Sequence, residues 1–318
     1  MRLTSVVTPF DDHNLQLVSQ VGVTDVVARY PGADRTRLKA LCDQAAKFGL
    51  RVSVVEGYLP IENAILGNAQ READLAAMEE LFRSMAACGI RLCCYNFMAG
   101  TDWVRTRMDL PERGGALVTG FNLAEVDRAV DLSAGQPGMA VQPITAEALW
   151  ENLEYFLRRL LPAAEQHGIT LAMHPDDPPL PEFLGRARIM NSVESFERLV
   201  ALVPSPSNRI CFCQGTFAEM NVDIPAAIRR LGPHIRYVHF RDVRGTRENF
   251  VETFHDNGQT DMAEAMRAYR DIGFDGPMRP DHVPQLVGEE DGPPGYTMLG
   301  RLFAFGYMKG LMHGIGIF

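Results

Sequence analysis

Tyr237-Val238-His239-Phe240-Arg241-Asp242-Val243 opens as an apolar, β-favouring run and closes on charged groups. A strand that carries its last side chains to a site reads this way. Two upstream runs share the design, Ile169-Thr170-Leu171-Ala172-Met173-His174 and Arg209-Ile210-Cys211-Phe212-Cys213. A fourth follows the turn-forming Phe274-Asp275-Gly276-Pro277 and ends in Arg279-Pro280-Asp281-His282. Each run ends on a residue able to ligate a metal: His174, Cys213, His239 and Asp281.

Outward from these runs, strand-then-helix alternation fills the chain. Strands are predicted over residues 3–8, 25–29, 51–56, 90–95, 170–174, 209–213, 235–240 and 277–281. Helices are predicted over 14–21, 34–48, 71–87, 145–167, 192–202, 223–231, 261–272 and 299–312. In the longest, Leu149, Leu153, Phe156, Leu160 and Leu161 form an inner face and Thr145 is the candidate N-cap. Eight units with no break in composition predict an α/β protein, a (β/α)8 TIM barrel in a single domain over 1–318. The pattern loosens only at about 97–143, with one short helix predicted over 123–132. A long excursion after a barrel strand is where lids and substrate contacts are built.

Barrel active sites lie at the carboxyl ends of the strands. His174, Cys213, His239 and Asp281 end strands five to eight, which are neighbours around the barrel, so one metal site is expected. Taken singly, each has a plainer reading as a hydrogen-bonded core imidazole or a small apolar thiol. Placement on consecutive strands favours the joint reading. Cys211 lies two residues before Cys213 on the same face, hence deeper, and is assigned to the core. Two imidazoles, a thiolate and a carboxylate admit Zn²⁺, Fe²⁺ or Mn²⁺.

Arg241 shares a face with His239. It is expected to pin a substrate carboxylate or stabilise an enolate, against a structural ion pair with Asp242 or Asp281. Glu56 and Asn96 end strands and are expected to contact substrate hydroxyls, with Asp176 and Arg301 as further substrate groups. His255 reads as a loop cap or a proton carrier. His282 is turned toward the site if Pro284 ends the strand, and Tyr296 is an acid/base phenol or a packing residue.

A net charge of −9 without a basic cluster excludes a nucleic-acid surface. A small anionic substrate is compatible with it, because a metal and a few arginines reverse the local field. No apolar run reaches membrane-spanning length. Six Cys without framework spacing predict reduced thiols, and the N-terminus lacks a secretory pattern, so the cytoplasm is the expected compartment. The apolar tail 311–318 is expected to dock on the barrel or on the partner of a homo-oligomer.

Several phrases together resemble the mannonate dehydratase family, enzymes of hexuronate breakdown. They are Cys94-Tyr95-Asn96-Phe97-Met98, Asp102-Trp103-Val104-Arg105-Thr106, Leu149-Trp150-Glu151-Asn152-Leu153 and His174-Pro175-Asp176-Asp177-Pro178-Pro179. Downstream they continue with Cys213-Gln214-Gly215-Thr216, His239-Phe240-Arg241-Asp242-Val243, Phe254-His255-Asp256 and Arg279-Pro280-Asp281-His282. The resemblance implies a metal-bearing barrel that removes water from D-mannonate to give 2-keto-3-deoxy-D-gluconate, usually with Mn²⁺. It also implies metal binding at His174, Cys213, His239 and Asp281, and catalytic roles at His282 and Tyr296. The segment 106–149 is shorter than in the family, and 3–10 lacks its aromatic-Gly opening. On the residues alone, a metal-dependent sugar isomerase or epimerase and a non-catalytic sugar-acid-binding barrel are the alternatives.

Overall fold

The computed structural model describes residues 1–32, 34–132 and 142–317. Eight parallel strands close a barrel in chain order: Arg2–Val6, Asp25–Ala28, Arg51–Glu56, Leu92–Tyr95, Thr170–Met173, Asn208–Cys213, Ile235–Phe240 and Pro277–Pro280. Arg2 stands opposite Pro277, which joins the first strand to the last. Inside the barrel, one buried cluster draws side chains from seven strands: Val6, Val27, Val54, Leu92 with Cys94, Ala172, Cys211 and Tyr237. Strands buried on both faces read as continuous apolar runs, which is why the alternation was visible.

The helices that follow the strands begin where the sequence supplies caps. Side chains of Asp11, Asp34, Thr145, Ser192, Asp223 and Asp261 each accept a backbone N–H from the helix they precede. In the helix Ala146–His167, the inner face Leu149, Leu153, Phe156, Leu160 and Leu161 is buried as its period predicts. The tail packs on its own barrel through Leu311, Met312, Ile315 and Ile317, while Phe318 lies outside the described residues. All six cysteines are free thiols. Among the described residues no helix is long and apolar enough to cross a membrane.

The excursion differs from its expectation. The predicted helix over 123–132 is a 3-10 turn, Leu123–Arg128, followed by the strand Val130–Asp131. Leu123 and Val130 are exposed, only Val126 and Ala129 pack on the core, and Val130 pairs with Arg105. Upstream, Arg107–Pro111 and Leu117–Asn122 pair antiparallel. Leu117–Asn122 also pairs with Asn249–Glu252, the second arm of a hairpin begun by Val243–Thr246 after the seventh barrel strand. Excursions from strands four and seven thus share one four-stranded sheet. The part of the excursion over 133–141 lies outside the described residues.

Candidate metal centre and catalytic pocket

Strands five to eight end side by side, with Cys213 in register opposite His239 and His239 opposite Arg279. One ligand atom from each of His174, Cys213 and His239 lies within 4.8 Å of the other two. Asp281, just past the eighth strand, closes the group. Its Oδ2 is 3.5 Å from Cys213 Sγ and its Oδ1 is 3.9 Å from His239 Nδ1.

The surroundings orient these donors. His174 Nδ1 is 2.7 Å from the Pro175 carbonyl, which can only accept, so the proton sits on Nδ1 and Nε2 is left for a ligand. Thr216 Oγ1 donates to Cys213 Sγ at 3.1 Å. Burial pushes the Cys213 thiol up, but the Arg241 guanidinium and His174 outweigh it and hold the thiol well below its usual range. Burial likewise pulls His174 down, and the Cys213 thiolate overrides it, lifting the imidazole to about 9. Arg279 Nη1 donates to Asp281 Oδ1 at 2.7 Å and Arg241 Nε to Oδ2 at 2.8 Å. Each carboxylate oxygen keeps a further lone pair. A thiolate, two imidazoles and a carboxylate with free lone pairs fit a first-row divalent ion.

A second group, Cys94, Cys211 and His239, also has ligand atoms within 4.8 Å. It lies one layer deeper and shares His239. Cys211 belongs to the barrel interior, as its position along the strand implied, and Cys94 lines both that layer and the cavity above.

A cavity of about 350 Å³ opens over the centre, bounded by Arg29, Glu56, Asn96, His174, His282 and Tyr296 among others. Glu56 accepts from Arg279 Nη2 at 2.8 Å, Arg29 Nη1 at 3.0 Å and Tyr237 OH at 2.8 Å, and its Oε2 lies 3.3 Å from His239 Nε2. This carboxylate therefore holds the arginines and steers the imidazole rather than standing free for a hydroxyl. Asn96 Nδ2 donates to Asp102 Oδ1 at 2.8 Å, and burial lifts Asp102 to about 6. His282 and Tyr296 meet edge-on with ring centroids 5.4 Å apart, and Trp103 stacks on His282 at 3.9 Å.

Of the residues expected to act on substrate, four do not line this cavity. Arg241 is 1% exposed and donates to Asp281, Asp177 at 3.0 Å and Glu219 at 3.1 Å. The ion pair with Asp281, the plainer reading, describes its geometry. Asp176 turns away and accepts from Met190 N at 2.7 Å, while Asp177 faces the cavity. Arg301 donates to Pro280 O at 3.1 Å behind Tyr296. Burial pulls its guanidinium down to about 10. His255 is fully buried against Phe240, and burial pulls it down to about 4. Beyond its strand the chain bends, so the period-two rule no longer assigns a direction.

Sequence reading missed Arg29, Asp177, Trp103, Glu252 and Arg279. Arg29 carried a usable signal, since it ends the second predicted strand. Glu252 carried only the alternation of Asn249–Glu252 after the turn at Arg247-Glu248.

The sequence pattern of the family described as D-mannonate dehydratase (UxuA) matches residues 5–317. The mannonate dehydratase of Oceanobacillus iheyensis is 35% identical, covering 95% of this chain and 90% of that protein. That of Enterococcus faecalis is 33% identical, covering 91% and 90%. The solved mannonate dehydratase from Streptococcus suis serotype 2 superposes with a TM-score of 0.89 at 29% identity, covering 99% of this chain and 96% of that one. An L-ribulose 3-epimerase, with a TM-score of 0.67 and 14% identity, shares the fold alone.

Proposed function

The chain belongs to the mannonate dehydratase family of hydro-lyases, and from that membership we propose that it converts D-mannonate to 2-keto-3-deoxy-D-gluconate with loss of water. The observation that carries this reading is the gathering of His174, Cys213 and His239 within 4.8 Å at one rim, under a cavity that His282 and Tyr296 line.

The C2 hydrogen of a sugar acid is weakly acidic, and its removal leaves negative charge spread onto the carboxylate. A divalent ion held by His174, Cys213, His239 and Asp281, Mn²⁺ by family habit with Fe²⁺ and Zn²⁺ as alternatives, would supply Lewis-acid stabilisation of that charge. His282 and Tyr296 divide the proton work: one takes the C2 proton, the other protonates the departing C3 hydroxyl. Arg241 acts through Asp281, keeping that carboxylate ionised and aimed. Asn96 contacts a substrate hydroxyl, and Arg29, partly buried beside Tyr296, offers a cation to the substrate's acid end. Free thiols throughout suit a reducing compartment such as the cytoplasm.

Incubation of the Mn²⁺-loaded protein with D-mannonate tests the reading through the appearance of a 2-keto-3-deoxy acid. An epimer formed without loss of water moves the protein to the isomerase class. Thermal stabilisation by D-mannonate without any turnover makes it a binding protein instead.

A further inference from the structure

We propose that Glu252 is a positioning residue for His282, fixing the imidazole so that Nδ1 carries the proton and Nε2 is the basic nitrogen presented to substrate. This rests on reading His282 as the proton carrier that takes the C2 proton, with Tyr296 as the acid.

Glu252 Oε1 lies 2.6 Å from His282 Nδ1. The carboxylate already accepts from Arg105 Nη2 at 2.5 Å on Oε1 and from Thr119 Oγ1 at 2.8 Å on Oε2. A carboxylate with a buried guanidinium beside it is ionised and can only accept, so the hydrogen between Glu252 and His282 belongs to Nδ1. Nε2 then faces the other way, 3.7 Å from Asp281 Oδ1 at the edge of the candidate metal centre. Trp103 covers one face of the ring with its plane inclined by 24°. The imidazole is thus held at one nitrogen and against one face, and only the remaining nitrogen is available for chemistry.

Glu252 itself does not line the cavity and is 4% exposed, so it acts through His282 and not on substrate. Its support is built into the fold. Glu252 ends the strand Asn249–Glu252, and Thr119 stands on the neighbouring strand Leu117–Asn122. Arg105, fully buried, is fixed from its other side by Asp177 at 2.6 and 3.0 Å. The four-stranded sheet made from the two excursions therefore does more than cover the barrel mouth. It reaches across to His282, the second residue past the eighth strand, and sets which imidazole nitrogen is the base. A supporting shell of this kind commonly fixes tautomer and ring orientation.

Glu252→Gln keeps the size of the side chain, but its amide can offer an N–H to Nδ1 and so hold the wrong tautomer. The expected result is a kcat lower by about 100-fold, with KM and bound metal within about twofold, since positioned acid–base catalysis contributes roughly 10²–10⁴. The primary isotope effect on substrate deuterated at C2 should rise, because proton removal becomes more limiting, and Glu252→Asp should recover part of the rate. A purely structural role would leave the isotope effect unchanged. His282→Asn separates the two readings. An inactive His282→Asn with a wild-type kcat in Glu252→Gln overturns the positioning proposal alone, whereas an active His282→Asn overturns the role of His282 itself. Should Glu252→Gln not fold, Thr119→Val removes one donor from the same carboxylate. A loss of about threefold to tenfold in kcat at unchanged KM supports the proposal, and an unchanged kcat overturns it.

Discussion

Gly215 and Arg241 pack so closely that a Cβ on the glycine would stand 2.5 Å from Arg241 Nη1 and 2.6 Å from its Cγ. Gly215 lies in the short helix Gln214–Glu219, directly after Cys213 ends the sixth barrel strand. The glycine is required by this close approach, because any side chain there occupies the space through which the guanidinium reaches Asp281. Gly215→Ala should displace Arg241 and cost about 1–3 kcal/mol of stability, read by denaturant melts. Displacement of a group that aims Asp281 should also lower kcat/KM by about tenfold to 100-fold. Wild-type kinetics in this variant would show that Arg241 does not position the centre.

The candidate metal centre predicts a linked pair of measurements. Protein as purified should carry about one equivalent of a divalent metal by elemental analysis, and Cys213→Ser should carry far less, since a hydroxyl is a poor substitute for a buried thiolate. Chelation should lower the melting temperature of the wild type by about 3–6 °C, the shift expected when a ligand well above its Kd is removed from a chain of this size. The melting temperature of Cys213→Ser should hardly respond to chelator. Equal metal content in both proteins would remove Cys213 from the ligand set.

The barrel was legible because its evidence is local: apolar runs that end in polar residues, and Asp, Ser or Thr ahead of most amphipathic stretches. The same locality exposed His174, Cys213, His239 and Asp281, each closing a run of its own. Arg241 was correctly placed on the face of His239. A shared face, however, does not reveal that Glu219, Asp177 and Asp281 arrive from three separate elements to engage the guanidinium. Asp176 and Asp177 differ by one residue just past the strand, where direction is set by the turn. The sheet that carries Glu252 was hidden for a different reason. Its strands are short and mix polar with apolar residues, and its two hairpins are joined across more than a hundred positions, as Val251 opposite Gly120 shows. Such pairing leaves no mark in any local window.

Trp103 lies against both proposed proton carriers, stacked on His282 and edge-on to Tyr296 at 5.4 Å. Trp103→Ala should therefore lower kcat more than it raises KM. An aromatic contact of about 0.5–1.5 kcal/mol implies a loss of roughly twofold to tenfold from the stack alone. Trp103→Phe should retain most of the rate, because a smaller ring still covers the imidazole. If Trp103→Ala raises KM and leaves kcat unchanged, the indole contacts substrate and does not order the catalytic rings.

Asp25 provides a test confined to the opposite end of the barrel, where strands begin. It is fully buried and accepts from Arg51 at 2.9 and 3.2 Å and from Thr24 Oγ1 at 2.6 Å, with Arg2 Nε 3.5 Å away. Burial alone would raise its pKa, but hydrogen bonds from Arg51 and Thr24 outweigh burial and hold the carboxyl below its ordinary value. A folded-state pKa below the unfolded one means the ionised pair stabilises fully above the unfolded value, about 4. That contribution is lost as pH falls through the folded value. Asp25→Asn should therefore be less stable than wild type at pH 7, by about 1–3 kcal/mol in urea melts. The difference should shrink when the melts are repeated below pH 4, while turnover of the folded variant at pH 7 stays at the wild-type rate. A stability gap that widened on acidification would reverse the sign argued for Asp25. A loss of turnover would connect this end of the barrel to the chemistry at the other.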